Sequence, residues 1–484
     1  MTMASTPRDR LWSACFFCFD REVRLLEICD IRYTKKRIEK EGMVCLYHRE
    51  NGMKIITNAR VMDPESQRDE VTDILVEGDE ILGIRQATEQ ELSKAEEIIQ
   101  GQGLIAAPGL VDAHVHFRDP GFTYKEDIYT GARAAAAGGV TTVICMANTK
   151  PAVDSVETLT DLINREKELP VHVMNTATVT KGLKGEELTD MEALAASGAV
   201  GFTDDGIPII DVKLLMEAFQ KAADLDLPIS LHEEDPALVG SYGVNQGQVA
   251  EKLGVPGASH LAEETLAARD CLLAKESGVR LDIQHVSSGV TVDIIRFMKQ
   301  QGIRVYAEVT PTHFSFTEDL LLEKGTLAKV NPPLRTAWDR DKLVEGLQDG
   351  TIDMIVTDHA PHTMEEKAKG FDPKNPAPSG LIGLETSLAL GITHLVASGK
   401  LTLMELLEKM TVNPADFYKL PCGRLQAGRV ADIILIDPEE KWIVTEDGLH
   451  SKSKNSPFIG MTLQGRVKTT ICRGQVVYQD RMIS

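Results

Sequence analysis

The sequence predicts an α/β protein, a (β/α)8 barrel that carries a small β domain built from both ends of the chain. Three observations lead there: the chain is 484 residues long, its middle alternates short apolar runs with amphipathic stretches, and both ends are rich in β patterns. A barrel of this kind takes about 250 residues, so the length leaves room for a smaller domain. We therefore expect an extension over 1–52, a composite β domain over 53–106 and 425–484, and a barrel over 107–424.

The β patterns at the two ends resemble one another in length and spacing. Near the start, apolar and polar residues alternate from Met53 to an Asp-Pro turn, and a second strand is expected over Asp73–Ile84, broken at Gly78-Asp79. Near the end, strands are expected over Ala431–Ile436, Trp442–Thr445 and Val467–Tyr478. Because two β-rich ends enclose a different middle, we expect both ends to build one composite domain.

Eight apolar runs, rich in β-branched residues, lie in the middle of the chain. They are Leu110–His116, Val140–Met146, Val171–Thr176, Ala199–Thr203, Pro228–His232, Arg280–His285, Arg304–Val309 and Ile352–Thr357. Helical spacing occupies stretches between them, for example Asp211–Ala223 and Ala262–Glu276. This alternation is typical of βα units that form a parallel sheet, and eight such units close naturally into a barrel.

Residues 1–52 fit neither part. They contain Cys15-x-x-Cys18 and Cys45-x-x-His48, a type of spacing that structural zinc sites use. Because Met53 opens a well-formed strand, we favour an extension without a function of its own.

Composition excludes several classes of function. The formal net charge of −21 argues against nucleic-acid or anionic-membrane partners, and an anionic substrate must then be drawn in by a local positive pocket. No apolar run reaches the length of a membrane span, and the N-terminal segment lacks the pattern of a signal peptide. We expect a cytoplasmic protein with a small-molecule substrate, and buried cysteines at Cys145, Cys271, Cys422 and Cys472.

Polar residues at the ends of the runs predict a metal centre, because barrel active sites form at the carboxyl ends of the strands. The first run ends in His114-Val115-His116, and two residues spaced in this way face the same side of a strand. Four other runs end in further potential ligands, namely Asp204-Asp205, His232, His285 and Asp358. Imidazole and carboxylate suit zinc, although manganese, cobalt or iron also fit, and one ion or two are compatible with this set.

Asp358 is the candidate for the group that moves a proton. A metal ion lowers the pKa of its bound water, and a nearby carboxylate can take the proton and return it. Asp358 closes the last run in Val356-Thr357-Asp358-His359. The alternative role for this residue is to cap the turn that follows.

The stretches around these residues identify a family resemblance. They are Pro108–Gly121, Met146–Thr149, Phe202–Gly206, His232–Asp235, Gln284–Ser287, Val330–Arg335 and Thr357–His362. In them the chain resembles the amidohydrolase superfamily and, within it, the bacterial class I dihydroorotases, over residues 53–484. The resemblance implies that His114, His116 and Asp358 hold one metal ion, that His232 and His285 hold the other, and that an aspartate of the fourth run bridges them. Family spacing favours Asp205 over Asp204 as that bridge.

Arg118 is the candidate for binding an anionic substrate. It lies two residues beyond the histidine pair, and a guanidinium binds a carboxylate with two parallel hydrogen bonds. A surface salt bridge is the alternative. The resemblance adds Asn148 and His362 on the same carboxylate, and Asn331 with the backbone near Ser379 and Gly380 on the ring of the substrate.

The activity that the resemblance implies is the reversible cyclisation of carbamoyl aspartate to dihydroorotate, in pyrimidine biosynthesis, by a hydroxide that zinc activates. Two alternatives stay open: another cyclic amidohydrolase, such as a hydantoinase or allantoinase, and an inactive scaffold for aspartate transcarbamoylase. We expect a homodimer, with a transcarbamoylase as a candidate partner. Of the other histidines, His172, His260, His394 and His450 are expected to be structural or on the surface, and His313 is the first candidate for a further role.

Overall fold

The computed structural model describes residues 52–372 and 374–480. The motifs Cys15-x-x-Cys18 and Cys45-x-x-His48 lie outside the described residues. The residues that are described belong to a single compact unit. Among them, no helix combines the length and the apolar character needed to cross a bilayer.

Strands and helices alternate through the middle of the described chain. The strands are β1 (Met53–Asp63), β2 (Arg68–Glu77), β3 (Glu80–Ile84), β4 (Glu97–Gln100), β5 (Ile105–Pro108), β6 (Leu110–Val115), β7 (Val140–Cys145), β8 (His172–Asn175), β9 (Ile229–Leu231), β10 (Leu281–Ile283), β11 (Val305–Val309), β12 (Met354–Ile355), β13 (Ile433–Ile443), β14 (Thr462–Cys472) and β15 (Gln475–Gln479). The α-helices are α1 (Glu89–Lys94), α2 (Ile128–Ala137), α3 (Val156–Glu166), α4 (Met191–Ala196), α5 (Val212–Asp224), α6 (Gln248–Leu253), α7 (Leu261–Ser277), α8 (Gly289–Gln300), α9 (Pro311–Ser315), α10 (Leu320–Lys324), α11 (Ala337–Asp349), α12 (Met364–Lys367), α13 (Ser387–Gly391), α14 (Leu403–Met410) and α15 (Val412–Phe417).

Strands from both ends of the described chain form one eight-stranded sheet. Its order is β15-β14-β13-β5-β1-β2-β3, with β4 beside β1. The two ends meet at β5, which pairs parallel to β1 and antiparallel to β13. Ile56, Ile74, Ile433 and Ile471 belong to the apolar core of this sheet. Burial of these side chains therefore joins residues that are up to 415 positions apart in sequence.

Parallel strands carry the rest of the fold. One sheet has the order β6-β7-β8 and another the order β12-β11-β10-β9. Single bridges extend these pairings: Phe202 bridges Ala177 on one side and Ile229 on the other, and Val115 bridges His359. The strands are almost entirely buried, because helices in the connections cover them. The fold is therefore of mixed α/β type, with the carboxyl ends of the parallel strands feeding loops on one side.

The helices begin where the sequence supplies hydrogen-bond acceptors. Side chains of Asp127, Asp211 and Ser288 accept from backbone amides in the first turns of α2, α5 and α8. The predicted helices Asp211–Ala223 and Ala262–Glu276 correspond to α5 and α7 within one residue at each end.

Two strand predictions differ from the structure. The fourth run, Ala199–Thr203, forms no strand, and only Phe202 in it makes bridges to both neighbours. The runs Ala431–Ile436 and Trp442–Thr445 form a single strand, β13, whose pairing with β14 is irregular between Asp437 and Lys441. Pro438 lies in that interval and has no N–H to donate, so a local interruption looked like a strand end in the sequence.

Candidate metal centre

Four histidines and two aspartates from different strand ends meet in the structure. His114 lies within β6 and His116 directly follows it. His232 follows β9, His285 lies two residues after β10, and Asp358 lies three residues after β12. The side chains of these five residues and of Asp205, which follows the fourth run, are buried to at least 85%. Because parallel strands end on the same side, these loops converge although the residues span 244 positions.

The first group consists of His114, His116, Asp205 and Asp358. His116 Nε2 lies 3.0 Å from Asp358 Oδ1 and 3.5 Å from Asp205 Oδ2. His114 Nε2 lies 3.6 Å from Asp358 Oδ1 and 3.7 Å from Asp205 Oδ1. These spacings place an oxygen of each aspartate within 3.7 Å of each histidine nitrogen, as a shared metal ion requires.

The second group consists of Asp205, His232 and His285. His232 Nδ1 and His285 Nε2 are 3.0 Å apart, and each lies 3.8 Å from Asp205 Oδ1. Asp205 therefore belongs to both groups, and a carboxylate in this place can bridge two ions. Both groups are able to hold a metal ion.

The donor atoms fit a metal. His114 Nε2 is buried and has no hydrogen-bond partner in the described residues. Leaving a buried polar atom without a partner costs free energy, and a cation removes that cost. The set combines imidazole with carboxylate, which suits zinc and other divalent transition metals.

The neighbouring aspartate has a different environment. Asp204 Oδ1 accepts from the backbone N–H groups of Val179 and Thr180 at 2.8 and 3.1 Å, and its other oxygen accepts from the Thr180 hydroxyl. Burial raises the pKa of Asp204 to about 6 despite these bonds. The structure thus directs Asp205 into the cluster and Asp204 away from it.

Carboxylates outside the two groups hold the histidines in orientation. His114 Nδ1 pairs with Glu308 Oε1 at 2.6 Å, and the backbone N–H of His285 donates to the same oxygen at 3.2 Å. His232 Nε2 pairs with Glu234 Oε2 at 3.0 Å. Such partners fix the tautomer of a ligand histidine and leave the other nitrogen for the metal. The sequence reasoning did not single out Glu308, a lone acid within the apolar run Arg304–Val309.

Electrostatics in the cluster favours bound cations. Burial opposes the charged form of His114, but the Glu308 carboxylate outweighs it and raises the pKa of this histidine to about 10. Burial alone would raise the pKa of Asp205, yet the nearby histidines, His285 first among them, hold it well below its usual range. The same balance lowers the pKa of Asp358. The raised pKa of His114 and the lowered pKa values of the two aspartates indicate that a positive charge is stabilised in this cluster, as a bound metal ion would be.

Three site residues have an unusual backbone conformation. Arg118, His285 and Asp358 have φ angles of 59°, 33° and 45°. Residues with a side chain rarely occupy this left-handed region, and the cost of order 1 kcal/mol or more is borne only where the surroundings enforce it. Such positions cluster at functional sites, which fits the placement of all three around one cavity.

An open cavity of about 160 Å³ adjoins the two groups. The predicted substrate residues that line it are Arg118, Asn148, Asn331, Ser379 and Gly380. Ala360 and Gly206 complete the lining beside the histidines and aspartates. Five of the residues that the sequence predicted to bind the substrate therefore line one cavity.

His362, also predicted to bind the substrate, is not among the residues that line the cavity but lies next to Arg118, which is. Arg118 Nε donates to the Pro361 carbonyl at 3.3 Å, and Arg118 Nη2 lies 3.5 Å from His362 Nε2. Burial, together with Arg118 and Lys125, holds the pKa of His362 well below its usual range. His362 is therefore neutral beside a permanent positive charge.

Asn148 is bonded to the metal groups. Its Nδ2 donates to Asp205 Oδ2 at 2.8 Å, and its Oδ1 lies 2.9 Å from His116 Nδ1. Asn331 Oδ1, by contrast, is buried without a partner in the described residues. Asn148 thus orients two groups of the cluster, a contact that the sequence did not reveal.

Two other clusters of polar residues are accounted for by hydrogen bonds. His313 is buried, with Nδ1 on the Thr310 hydroxyl at 2.8 Å and Nε2 on the Pro332 carbonyl at 3.0 Å. His172, Asp432 and Cys472 also lie close together. His172 Nε2 pairs with Asp432 at 3.0 Å and its Nδ1 accepts from an arginine at 3.2 Å, so both ring nitrogens are occupied.

Comparison with known proteins places the chain in a family. The model of the amidohydrolase family matches residues 105–477. A dihydroorotase of Clostridioides difficile is 55% identical over 426 residues, which cover 88% of this chain and 100% of that protein. The dihydroorotase of Clostridium acetobutylicum is 52% identical, covering 89% of this chain and 100% of its own length.

Solved structures share the fold. The L-hydantoinase (dihydropyrimidinase) of Arthrobacter aurescens has a TM-score of 0.79 at 28% identity, covering 88% of this chain and 96% of that protein. A dihydropyrimidinase of Brevibacillus agri has a TM-score of 0.75 at 22% identity, covering 88% and 95%, and supports the fold alone. With a match over most of its length and relatives above 50% identity, the chain belongs to the amidohydrolase family and, within it, groups with the dihydroorotases.

Proposed function

We propose that this protein catalyses the reversible cyclisation of N-carbamoyl-L-aspartate to L-dihydroorotate, a step of pyrimidine biosynthesis. The observation that carries the proposal is the placement of Arg118 on the same cavity as two His/Asp groups that share Asp205. Relatives named dihydroorotase, at 50–55% identity over 88% of the chain or more, support the same activity.

The proposed fold is a (β/α)8 barrel joined to a composite β domain. The parallel pairings support a closed barrel. They run through β6, β7 and β8, continue across the bridges of Phe202 to β9, and follow β10 and β11 to β12. The bridge between Val115 and His359 then leads back to β6. The eight-stranded sheet made from both ends of the described chain supports the division into 53–106 with 425–484 and 107–424.

Zinc is the proposed metal, with one or two ions in each chain. His114, His116 and Asp358 would hold one ion, His232 and His285 the other, and Asp205 would contact both. A zinc ion bound there supplies a Lewis acid for the amide carbonyl and lowers the pKa of a water molecule.

Side chains and backbone groups of the protein transfer the proton and bind the substrate. Asp358 carries the proton between the attacking water and the ring nitrogen, and its position at the mouth of the first group suits that transfer. Arg118 binds the substrate carboxylate, with Asn148 and His362 beside it. Asn331, whose carbonyl oxygen has no partner among the described residues, and the backbone of Ser379 and Gly380 contact the ring.

Hydantoinase activity is the nearest alternative, since the solved structures of similar fold are hydantoinases. Their identity to this chain is 28% or less, against 50–55% for the dihydroorotases. A scaffold without activity is a second alternative, but every proposed ligand position is filled. A homodimer, a transcarbamoylase partner and a cytoplasmic location stay predictions.

One set of assays tests the proposal. The purified protein should contain zinc and should turn over dihydroorotate much faster than hydantoin or allantoin. Arg118→Met should lower kcat/KM for dihydroorotate by about 10- to 150-fold, because it removes charge-assisted hydrogen bonds worth roughly 1.5–3 kcal/mol. Undiminished turnover in this variant would refute the role of Arg118, and a zinc-loaded wild-type protein without activity would favour the scaffold.

A further inference from the structure

Two buried lysines lie behind the part of the cavity wall formed by residues 377–380, here called the wall segment. Lys329 is 4% exposed and Lys367 is 2% exposed. All the hydrogen bonds that their ammonium groups make in the described residues go to backbone carbonyls or to one hydroxyl. Burying a charge without an opposite charge is unfavourable, so these two positions call for an explanation.

Lys329 holds the wall segment at both of its ends. Its Nζ donates to the Ala377 carbonyl at 2.8 Å and to the Ser379 hydroxyl at 3.1 Å. Its own backbone carbonyl accepts from the Gly380 N–H at 2.8 Å. Because Asn331 is two residues further along the chain, the same contacts locate Asn331 relative to the segment.

Lys367, the last residue of α12, holds the same segment from another direction. Its Nζ donates to the carbonyls of Pro378 and Gly380 at 2.9 and 2.8 Å, and to the carbonyl of Lys329 at 3.4 Å. Together the two lysines thus bind every residue of the wall segment. Ser379 and Gly380 are the members of it that face the cavity.

Asn455 ties the segment to the neighbouring loop. Its Nδ2 donates to the carbonyls of Ala360 and Gly380, each at 3.1 Å, and its Oδ1 accepts from the His362 N–H at 3.1 Å. Gly380 has a φ of 125°, and a Cβ there would lie 2.7 Å from the Cβ of Ala360. Close packing at Gly380 and hydrogen bonds from Lys329, Lys367 and Asn455 therefore fix the position of the wall segment.

The charges around the wall are unbalanced. Arg118, Lys329 and Lys367 lie on this side, and in the described residues none of them pairs with a carboxylate. Burial lowers the pKa of Lys329 to about 8, and burial with the nearby Lys329 lowers that of Lys367 to about 7. Glu234 acts on Lys329 and Glu366 acts on Lys367, and each raises the pKa of its lysine against the effect of burial. In the described residues, all hydrogen bonds of the two ammonium groups go to the wall segment or to the backbone of Lys329.

We propose that Lys329 and Lys367 are positioning residues, which set the affinity for the anionic substrate by holding the wall segment. They do not touch the substrate themselves. The inference rests on the proposed function, because it takes carbamoyl aspartate and dihydroorotate as the anions. It assigns a role to two buried cations that the chemical step does not use.

The test compares three lysine-to-methionine variants, since methionine keeps most of the side-chain volume. Lys329→Met and Lys367→Met remove the two donors. Lys409→Met is the matched control, because Lys409 is also buried and also donates to a backbone carbonyl, that of Ile352 at 2.9 Å, ahead of β12. KM and kcat are measured for dihydroorotate with zinc-loaded protein, and the binding of carbamoyl aspartate is measured by calorimetry.

We expect Lys367→Met and Lys329→Met to raise KM at least tenfold and to weaken carbamoyl aspartate binding in parallel, while kcat changes less than threefold. Lys409→Met should leave both constants unchanged. An unchanged KM in folded Lys329→Met and Lys367→Met, or an equal effect of Lys409→Met, would overturn the inference. If neither Lys329→Met nor Lys367→Met folds, Ser379→Ala provides the test, because it removes only the hydroxyl that Lys329 binds. This variant should raise KM about threefold. An unchanged KM would refute the role of Lys329. A wild-type protein without dihydroorotate turnover contradicts the proposed function instead.

Discussion

Replacing Glu308 by glutamine tests how the most buried histidine of the cluster is held. The Glu308 carboxylate pairs with His114 Nδ1 at 2.6 Å, and both side chains are almost fully buried. Glutamine keeps the volume and one oxygen acceptor but loses the charge. Loss of an outer partner of this kind weakens metal binding by about 10- to 100-fold, or about 1.4 to 2.7 kcal/mol. We expect the lower figure for Glu308→Gln and the higher one for Glu308→Ala.

If each group binds a zinc ion, as proposed, the two ions should not be affected equally. Glu308 contacts the side chain of His114 but only the backbone N–H of His285, so the ion of the first group should be lost first. Competition titrations of zinc against a chelator, with zinc counted per chain, measure both affinities. Glu166→Gln is the matched control, because Glu166 is a buried carboxyl group whose hydrogen-bond partner is Asn175. Zinc affinities of Glu308→Gln within twofold of the wild type would refute the reasoning.

Two further predictions concern Asp358 and Lys367. Asp358→Asn should lower kcat for dihydroorotate by at least about 100-fold, since it removes the group that is proposed to move the proton. Kinetic measurements at matched zinc content test this. A loss of kcat below tenfold would indicate that Asp358 serves only as a metal ligand. The pKa of Lys367 is about 7 in the folded protein, below the ordinary value of 10.5 for a lysine, so the unfolded chain binds the extra proton between these pH values. The free energy of unfolding should therefore gain up to roughly 1.4 kcal/mol per pH unit from this lysine as the pH rises through that window, and Lys367→Met should lose that gain. Denaturation at pH 6.5 to 9.5 measures it, and identical pH profiles would contradict it.

The ligand cluster could be predicted from the sequence because it depends on a simple geometric rule. His114, His232 and Asp358 stand at or just beyond the ends of apolar runs, and parallel strands bring such ends to one side. The rule worked even for the fourth run, where only Phe202 bridges its neighbours and Asp205 still enters the cluster.

The supporting residues could not be predicted in this way. Glu308 lies inside a run, and the single acid in Val305–Val309 was the only indication that a buried partner was needed there. Lys329 and Lys367 meet the wall segment through loops, whose paths depend on tertiary contacts and not on periodicity. Local patterns therefore identify groups at strand ends, while the residues that orient them become visible only in three dimensions.

The position of Asn455 in the sequence affects the order in which parts of the site can form during synthesis. All the histidines and aspartates of the cluster precede residue 359, but the amide that joins the loops at Ala360, His362 and Gly380 follows more than 70 residues after the last of them. During synthesis, the proposed metal ligands leave the ribosome well before this link can form. A nascent chain can thus bring the candidate ligand groups together first and complete the wall of the cavity only after Asn455 has emerged.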